Sequence, residues 1–421
     1  MGFFETASIL LTLAALFSYV NFKYLHLPTT IGVMMISLAA SLVILALDAM
    51  HLPVGNKVTG IVAGIDFSKA IFHGMLAFLL FAGSLHLDLG DLRREGSVIS
   101  LLAVIGTPVS TFLIGFASFK LFAVIGIDIP LIWCMLFGAL ISPTDPIAVL
   151  GIMRKVGAPK TLETQLAGES LFNDGIAVVI FLSMLGVVTG EESLTWQGLV
   201  RLLLQEVGGG LAVGLVCGLF INRLLSTVDN YQVEVLLTLA LASGGWVAAD
   251  ALHTSAPIAM VVAGLLIGNR GRAYSMSETT RRHLDMFWEL LDEVLNVVLF
   301  LLIGLEILVL PFTWRFAVAG AAAIVISLIA RWINVAGMVT LLKPHRVFDR
   351  GAIRVLTWGG LRGGLSVAMA LALPTTIQGR DVRLLRDFIL VITYSVVVFS
   401  IFVQGLSAPV VIRRAAREPV G

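Results

Sequence analysis

The chain has 421 residues, 58% of them hydrophobic and 13% charged, with a formal net charge of +1. That is about half the charge of an ordinary soluble domain, and the near-neutral balance offers no basic footprint for a nucleic-acid partner. A mean hydropathy of +0.98, set against about 20 apolar residues per bilayer crossing, describes an all-α polytopic membrane protein surrounded by lipid.

Apolar runs and their breaks predict helices at about 4–21, 30–48, 67–87, 95–125, 129–154, 161–188, 197–225, 231–250, 255–269, 278–309, 313–342, 349–373 and 381–413, about 13 transmembrane helices in one domain spanning 1–421. The first run has no basic segment ahead of it and no small-residue cleavage site, so it is expected to be a retained helix. Cys134 and Cys217 fall inside apolar runs and read as packing residues. No HExxH pattern occurs, which removes the simplest metalloprotease reading.

If the amino terminus lies outside, one set of loops collects Lys23, Arg93, Arg94, Arg154, Lys155, Lys160, Arg223, Arg270, Arg346 and Arg413. The opposite loops hold Lys57, Arg315 and the group Arg380, Arg383 and Arg386, offset by Asp381 and Asp387. Positive-inside bias therefore predicts an outside amino terminus, a cytoplasmic carboxyl terminus and an odd number of crossings.

Two of the runs are broken. Ser142-Pro143-Thr144-Asp145-Pro146 interrupts the fifth with two prolines, each of which lacks a backbone donor and biases its predecessor away from helix. Gly359-Gly360-Leu361-Arg362-Gly363-Gly364 interrupts the twelfth, setting an arginine among residues that let the chain unwind. The breaks lie an odd number of helices apart, so the two broken helices run in opposite directions. This predicts an inverted repeat: helices 1–6 (about 4–188), a linker helix (about 197–225) and helices 8–13 (about 231–413). Paired interruptions of this kind point to a transport site near the bilayer midplane.

The densest polar run within hydrocarbon is Gly168-Glu169-Ser170-Leu171-Phe172-Asn173-Asp174-Gly175. A charged side chain at the centre of a spanning helix costs about 2.5–3.5 kcal/mol on insertion scales, so these groups are expected to face protein or water. Ser170 and Asp174 stack on one strip of the helix, as do Glu169 and Asn173. Glu169 and Asp174 diverge by about 140° and should have different neighbours.

Ser142-Pro143-Thr144-Asp145-Pro146, Gly168-Glu169-Ser170 with Asn173-Asp174, Ala330-Arg331, Gly359-Gly360-Leu361-Arg362-Gly363 and Phe402-Val403-Gln404-Gly405, in this order along essentially the whole chain, resemble the motifs of NhaP-type sodium/proton antiporters, the electroneutral branch of the monovalent cation/proton antiporters. The resemblance implies 13 helices, a homodimer in a prokaryotic cell membrane, a six-helix core holding the crossed broken helices, and elevator-like alternating access. It implies exchange of Na+ or Li+ for H+, a role in pH homeostasis, and no cofactor, the ions being substrates. It implies ion-site roles for Asp174, Ser170 and Thr144 and, directly or through water, for Asn173 and Asp145. It also implies a structural ion pair of Glu169 with Arg331. The electrogenic branch carries an acid where this chain has Asn173, which implies one titrating group and one-for-one exchange.

The residues support these implications unevenly. A carboxylate at Asp174 kept out of water can hold a proton or a small cation, and not comfortably both. Thr144 and the unwound backbone beside it offer hard oxygen ligands suited to Na+ or Li+. Asn173 reads equally as a bond between helices, and Asp145 as the N-cap of a second half-helix with Pro146 at its first position. Arg362 is expected to balance half-helix carboxyl ends and Asp145 rather than to touch substrate. Glu289, Asp292, Glu293 and Asn296 share one helix face; they read as a cation funnel, a pH sensor, or a face meeting water or a partner. No histidine is singled out, and Glu206 and Glu234 have no assignment. The alternatives are a potassium/proton antiporter of the same fold, a passive cation channel, and an intramembrane aspartyl protease using Asp145 and Asp174, for which the GxGD signature is missing.

Overall fold

The computed structural model describes residues 3–50, 60, 67, 70–190, 204–272, 276–311 and 313–417. Among these the chain is almost wholly helical: α1 (Phe4–Leu25), α2 (Thr29–Asp48), α3 (Ala70–Leu85), α4 (Leu89–Val124), α5 (Leu131–Ile141), α6 (Ile147–Val156), α7 (Lys160–Thr189), α8 (Leu204–Leu225), α9 (Tyr231–Ala251), α10 (Ala256–Gly271), α11 (Glu278–Glu306), α12 (Trp314–Leu342), α13 (Ala352–Gly359), α14 (Gly364–Leu371) and α15 (Arg383–Ala415). Eight of them are long and apolar enough to cross a membrane by themselves. A short antiparallel pair, β1 (Thr376–Ile377) and β2 (Arg380–Asp381), links α14 to α15. The expected starts of the third and seventh helices at 68–69 and 197–203, and the loop residue Lys57, lie outside the described residues, as do any contacts of the His73 side chain.

Polar side chains set the helix ends. Asn230, Ser255, Ser277 and Thr313 each accept a hydrogen bond from a first-turn amide, satisfying donors that have no partner within the helix. Gly157 and Gly190 stop α6 and α7 in the left-handed conformation that glycine adopts without steric cost. One expected boundary is wrong: α4 begins at Leu89 and not near 95, because Asp88 caps it by accepting from Asp91 N at 2.9 Å. Its first two turns are amphipathic, so the apolar run underestimates the helix. Six wide π-type turns among the described residues also went unpredicted, and two of them, Leu101–Ile105 and Ser400–Gly405, have a visible cause. Each precedes a proline of the same helix, Pro108 or Pro409, and a wider turn absorbs the missing donor and ring clash that proline brings.

The core is divided by height. Towards the Gly190 end of α7, apolar residues of α4, α5, α7, α12, α14 and α15 close on one another around Phe122, Phe137, Phe181 and Phe388. Phe122 and Phe388 meet edge to face at 5.2 Å. Towards the Lys160 end, Val149, Leu166, Val335 and Leu356 form a second cluster. Helices α4 and α5 approach closely through Gly138, where an added Cβ would lie 2.2 Å from the Thr111 carbonyl oxygen. Small residues permit such backbone approach between membrane helices. Gly138→Val is therefore expected to lower thermal stability in detergent by about 1–3 kcal/mol, the usual cost of overpacking; an unchanged unfolding temperature would mean that α4 and α5 can separate freely.

The two interruptions meet. Asp145 N donates to Leu361 O at 2.8 Å, and Arg362 Nη1 donates to Ser142 O and Pro143 O at 2.7 and 2.8 Å. Helix α5 thus ends against the break between α13 and α14, and α6 restarts beside it.

Candidate functional site

A cavity of about 950 Å³ runs from the Lys160 end of the molecule to the crossing. Arg154 and Lys160, both with largely exposed side chains, stand at its rim, where Lys160 pairs with Asp91 at 2.5 Å. The rim is an ordinary solvated charged surface. At the inner end lie Thr144, Asp145, Ser170 and Asp174. No described residue of the Gly190 end lines the cavity, which stops beneath the Phe137 and Phe181 cluster.

Three polar side chains lock the break in α5/α6 to α7. Thr144 and Ser170 hydroxyls are 2.9 Å apart; Asn173 Nδ2 donates to Thr144 Oγ1 at 2.9 Å and its Oδ1 accepts from Thr144 N at 3.3 Å. The four-residue spacing puts Ser170 and Asp174 on one strip facing the cavity, while Asn173 lies behind Thr144 and does not line it. Asn173 is thus wholly engaged in orienting Thr144. Among the described residues no lysine, arginine or histidine pairs with Asp174, which is left half-buried at the head of the cavity.

Asp145 accepts from Ile147 N at 3.0 Å. The expectation of a simple N-cap needs correction by one residue: α6 begins at Ile147, not at Pro146. The Asp145 carboxylate instead closes an Asx-type bond to an amide two residues on. It also abuts α14, since a Cβ on Gly363 would lie 2.2 Å from Asp145 Oδ2; only glycine fits there. The positive amino end of α14 stabilises a carboxylate so placed.

Glu169 leaves the cavity on the opposite strip and meets Arg331 of α12 in a fork of two hydrogen bonds, Nη1 to Oε1 and Nη2 to Oε2, the latter 2.9 Å. Glu169 is 1% and Arg331 3% exposed, so neither charge has water to fall back on. Arg331 Nη2 also donates to Leu356 O at 2.8 Å, which ties the pair to the end of α13. Arg362 is equally buried and reaches the last carbonyls around the end of α5, not a carboxylate. Its charge meets the negative end of a helix dipole.

Several groups escaped the sequence reading. Ser366 of α14 lines the cavity and was not singled out; a hydroxyl following the Gly363-Gly364 break was the available signal. Glu95 is buried between Gln165 Nε2, at 2.7 Å, and Arg346, two partners far apart in sequence. Glu234 accepts from Thr280 Oγ1 at 3.2 Å, which gives that buried acid a structural contact. Glu289, Asp292, Glu293 and Asn296 do share a cavity wall, contributed by α11.

Comparison with known proteins identifies the family and the fold. The family model described as sodium/hydrogen exchanger, transmembrane, matches residues 10–414. The chain is 47% identical over 422 aligned residues to the Na(+)/H(+) antiporter NhaP of Pseudomonas aeruginosa, covering 99% of this chain and 98% of that one. It is 36% identical to the Na(+)/H(+) antiporter NhaH of Halobacillus dabanensis, covering 90% and 91%. The solved structure of the sodium proton antiporter MjNhaP1 from Methanocaldococcus jannaschii at pH 8 has the same fold, with a TM-score of 0.75 over 99% of this chain and 100% of that one at 19% identity. Over nearly its whole length, with its crossed breaks and the buried acid beside them, the chain belongs to the sodium/hydrogen exchanger family.

Proposed function

We propose that the protein is a secondary antiporter that exchanges Na+ or Li+ for H+, one for one, with cation and proton competing for Asp174. The observation that carries this reading is the Asp174 carboxylate at the closed end of a one-sided cavity, with the hydroxyls of Ser170 and Thr144 and the Asp145 carboxylate beside it and no cationic partner of Asp174 among the described residues. A carboxylate in that position binds a small hard cation through oxygen ligands or takes a proton. Carrying neither across the bilayer leaves an uncompensated charge in hydrocarbon, which suppresses uncoupled return. Asn173 adds no second charge, and the Asp145 carboxylate is held between α6 and α14. The loaded forms of the site, one with a proton and one with a monovalent cation, therefore carry the same charge.

Several assignments belong to this proposal. Thr144, Ser170 and Asp174 are ion ligands, Asn173 orients Thr144, and Asp145 contributes charge at the crossing. Glu169 with Arg331, and Arg362, are structural. The helices up to α7 form one repeat and α9 to α15 its inverted counterpart, with α8 as linker. The protein acts as a homodimer in the cell membrane, with the amino terminus outside and the cavity open to the cytoplasm, where it serves pH homeostasis. Arg154, Lys155 and Lys160 at the cavity's mouth lie on the side that positive-inside bias, which counts lysine and arginine rather than net charge, assigns to the cytoplasm, and they support this orientation.

The test is a reconstituted vesicle assay of internal pH on adding each alkali cation in turn, with voltage clamped by an ionophore. Na+ or Li+ should drive proton movement; a response to K+ alone would reassign the substrate, and no response to any would remove the exchange reading. The rate is further expected to be the same at zero and at imposed negative potential. A clear dependence on potential would refute one-for-one coupling.

A further inference from the structure

The Phe402-Val403-Gln404-Gly405 run falls within the wide turn Ser400–Gly405 of α15, beside the break between α13 and α14. Turns of this type inside α-helices are frequent at functional sites. Two buried polar residues of this one, Ser400 and Gln404, reach the unwound backbone. Arg362 N donates to Ser400 Oγ at 2.9 Å, Ser400 Oγ donates to Gln404 Oε1 at 2.8 Å, and Gln404 Nε2 donates to Trp358 O at 3.4 Å. In an unbroken helix Arg362 N would donate to Trp358 O directly, four residues back. The two side chains are thus spliced into the helical bond that the break removes, and they satisfy backbone groups that have no water to turn to.

The other edge of the same peptide faces the cation site. The Leu361–Arg362 peptide is planar and trans, so its carbonyl points away from Ser400, and it accepts from Asp145 N at 2.8 Å. Asp145 N belongs in turn to the Thr144–Asp145 peptide, so this bond also sets the direction of the Thr144 carbonyl. Asn173 and Ser170 hold the Thr144 amide and hydroxyl from α7. Thr144 is therefore positioned by two helices, α7 through its side chain and α15 through the backbone of the crossing. From Asp145 N to Trp358 O every donor in the series points the same way, an arrangement in which each bond strengthens the next.

We infer that Ser400 and Gln404 are positioning residues for the cation site: by holding the Leu361–Arg362 peptide they set the Thr144–Asp145 peptide, and with it cation affinity and the preference between Na+ and Li+. The inference rests on the reading of Thr144 as an ion ligand. Neither residue lines the cavity, so both act through the crossing and not on the ion. Na+ and Li+ differ in size, and a displaced oxygen does not weaken both equally.

The experiment measures the Na+ and Li+ dependence of exchange in reconstituted vesicles at fixed pH. In parallel, thermal unfolding of the detergent-solubilised full chain is followed in NaCl or LiCl against choline chloride at equal ionic strength, since a ligand bound only by the folded state raises the unfolding temperature. Gln404→Met keeps the length of the side chain and removes both hydrogen bonds; Ser400→Ala removes the hydroxyl. Each should raise half-saturating Na+ about tenfold, as for one misplaced ligand, and change the Na+/Li+ ratio of half-saturation, with the maximal rate per folded protein nearly unchanged. The double variant should do no more than either single one, because one missing link already opens the series. Ser407→Ala, which removes the acceptor of Trp358 Nε1 at 2.9 Å on the same helix, should move neither quantity. A purely structural role would lower the unfolding temperature while leaving half-saturation and the ion ratio in place, and that result overturns the inference. Should one variant not fold, the other decides; loss of folding in both also overturns it. Exchange with unmoved midpoints sinks the positioning role and leaves the exchange reading standing. Absent exchange in wild-type vesicles sinks the exchange reading, and the Na+ and Li+ midpoints of thermal protection then decide the positioning role; absent protection as well overturns both.

Discussion

Asp174→Asn is expected to abolish sodium-driven proton movement in reconstituted vesicles, down to the rate of protein-free vesicles, while leaving a folded protein. The substitution keeps the size and shape of the side chain and removes the only thing the site trades on, a charge that a proton and a cation can each neutralise. Folding should survive because no described ion pair depends on Asp174; the neighbouring Thr144, Ser170 and Asn173 bonds do not include it. The measurement is the dye-reported pH change on adding Na+, with size-exclusion and thermal profiles of the same sample. Exchange that continues in a folded Asp174→Asn protein would transfer the carrier role to another group, with Asp145 the first to examine.

Breaking the Glu169–Arg331 fork should produce the largest loss of stability available from a single substitution in this site. Both side chains are sealed from water, and removing one strands the other's charge, at about 3–5 kcal/mol. Arg331→Ala also orphans the Leu356 carbonyl, to which Arg331 donates, so it should be at least as damaging as Glu169→Ala. In the double variant neither charge is stranded. Its loss should fall short of the sum of the single losses by about 0.5–3 kcal/mol, the usual size of coupling between contacting residues. Thermal unfolding of the four proteins in one detergent reads the cycle, and simple additivity would mean that the two residues do not act as a pair.

What the residues disclosed in advance depended on how local the cause was. Both broken helices were legible because proline and glycine act within a turn of themselves: Pro143 and Pro146 cannot donate, and Gly360 and Gly363 sit where Arg331 and Asp145 leave no room for a Cβ. That Glu169 and Asp174 have different neighbours, an arginine of α12 for one and the cavity for the other, was legible from helical angle alone. The pairing of Glu95 with Arg346 was not, because 251 residues separate them and nothing local in the Arg-Glu-Gly-Ser run of α4 marks a buried acid. Ser366 was missed for a related reason: one hydroxyl in an apolar half-helix has many satisfied roles, and only the absence of a partner in three dimensions distinguishes it. The wide turns before Pro108 and Pro409 escaped because proline in an apolar run predicts a disturbance without specifying its form.

The bonds joining the two interruptions also constrain how the molecule can move. With the Asp145 amide fastened to the Leu361 carbonyl, and the Arg362 guanidinium to Ser142 and Pro143, neither unwound segment can slide past its counterpart without tearing three contacts at once. Displacement of an ion from one face of the bilayer to the other must carry that knot as a rigid passenger, and the slippage has to occur along the apolar seams outside it.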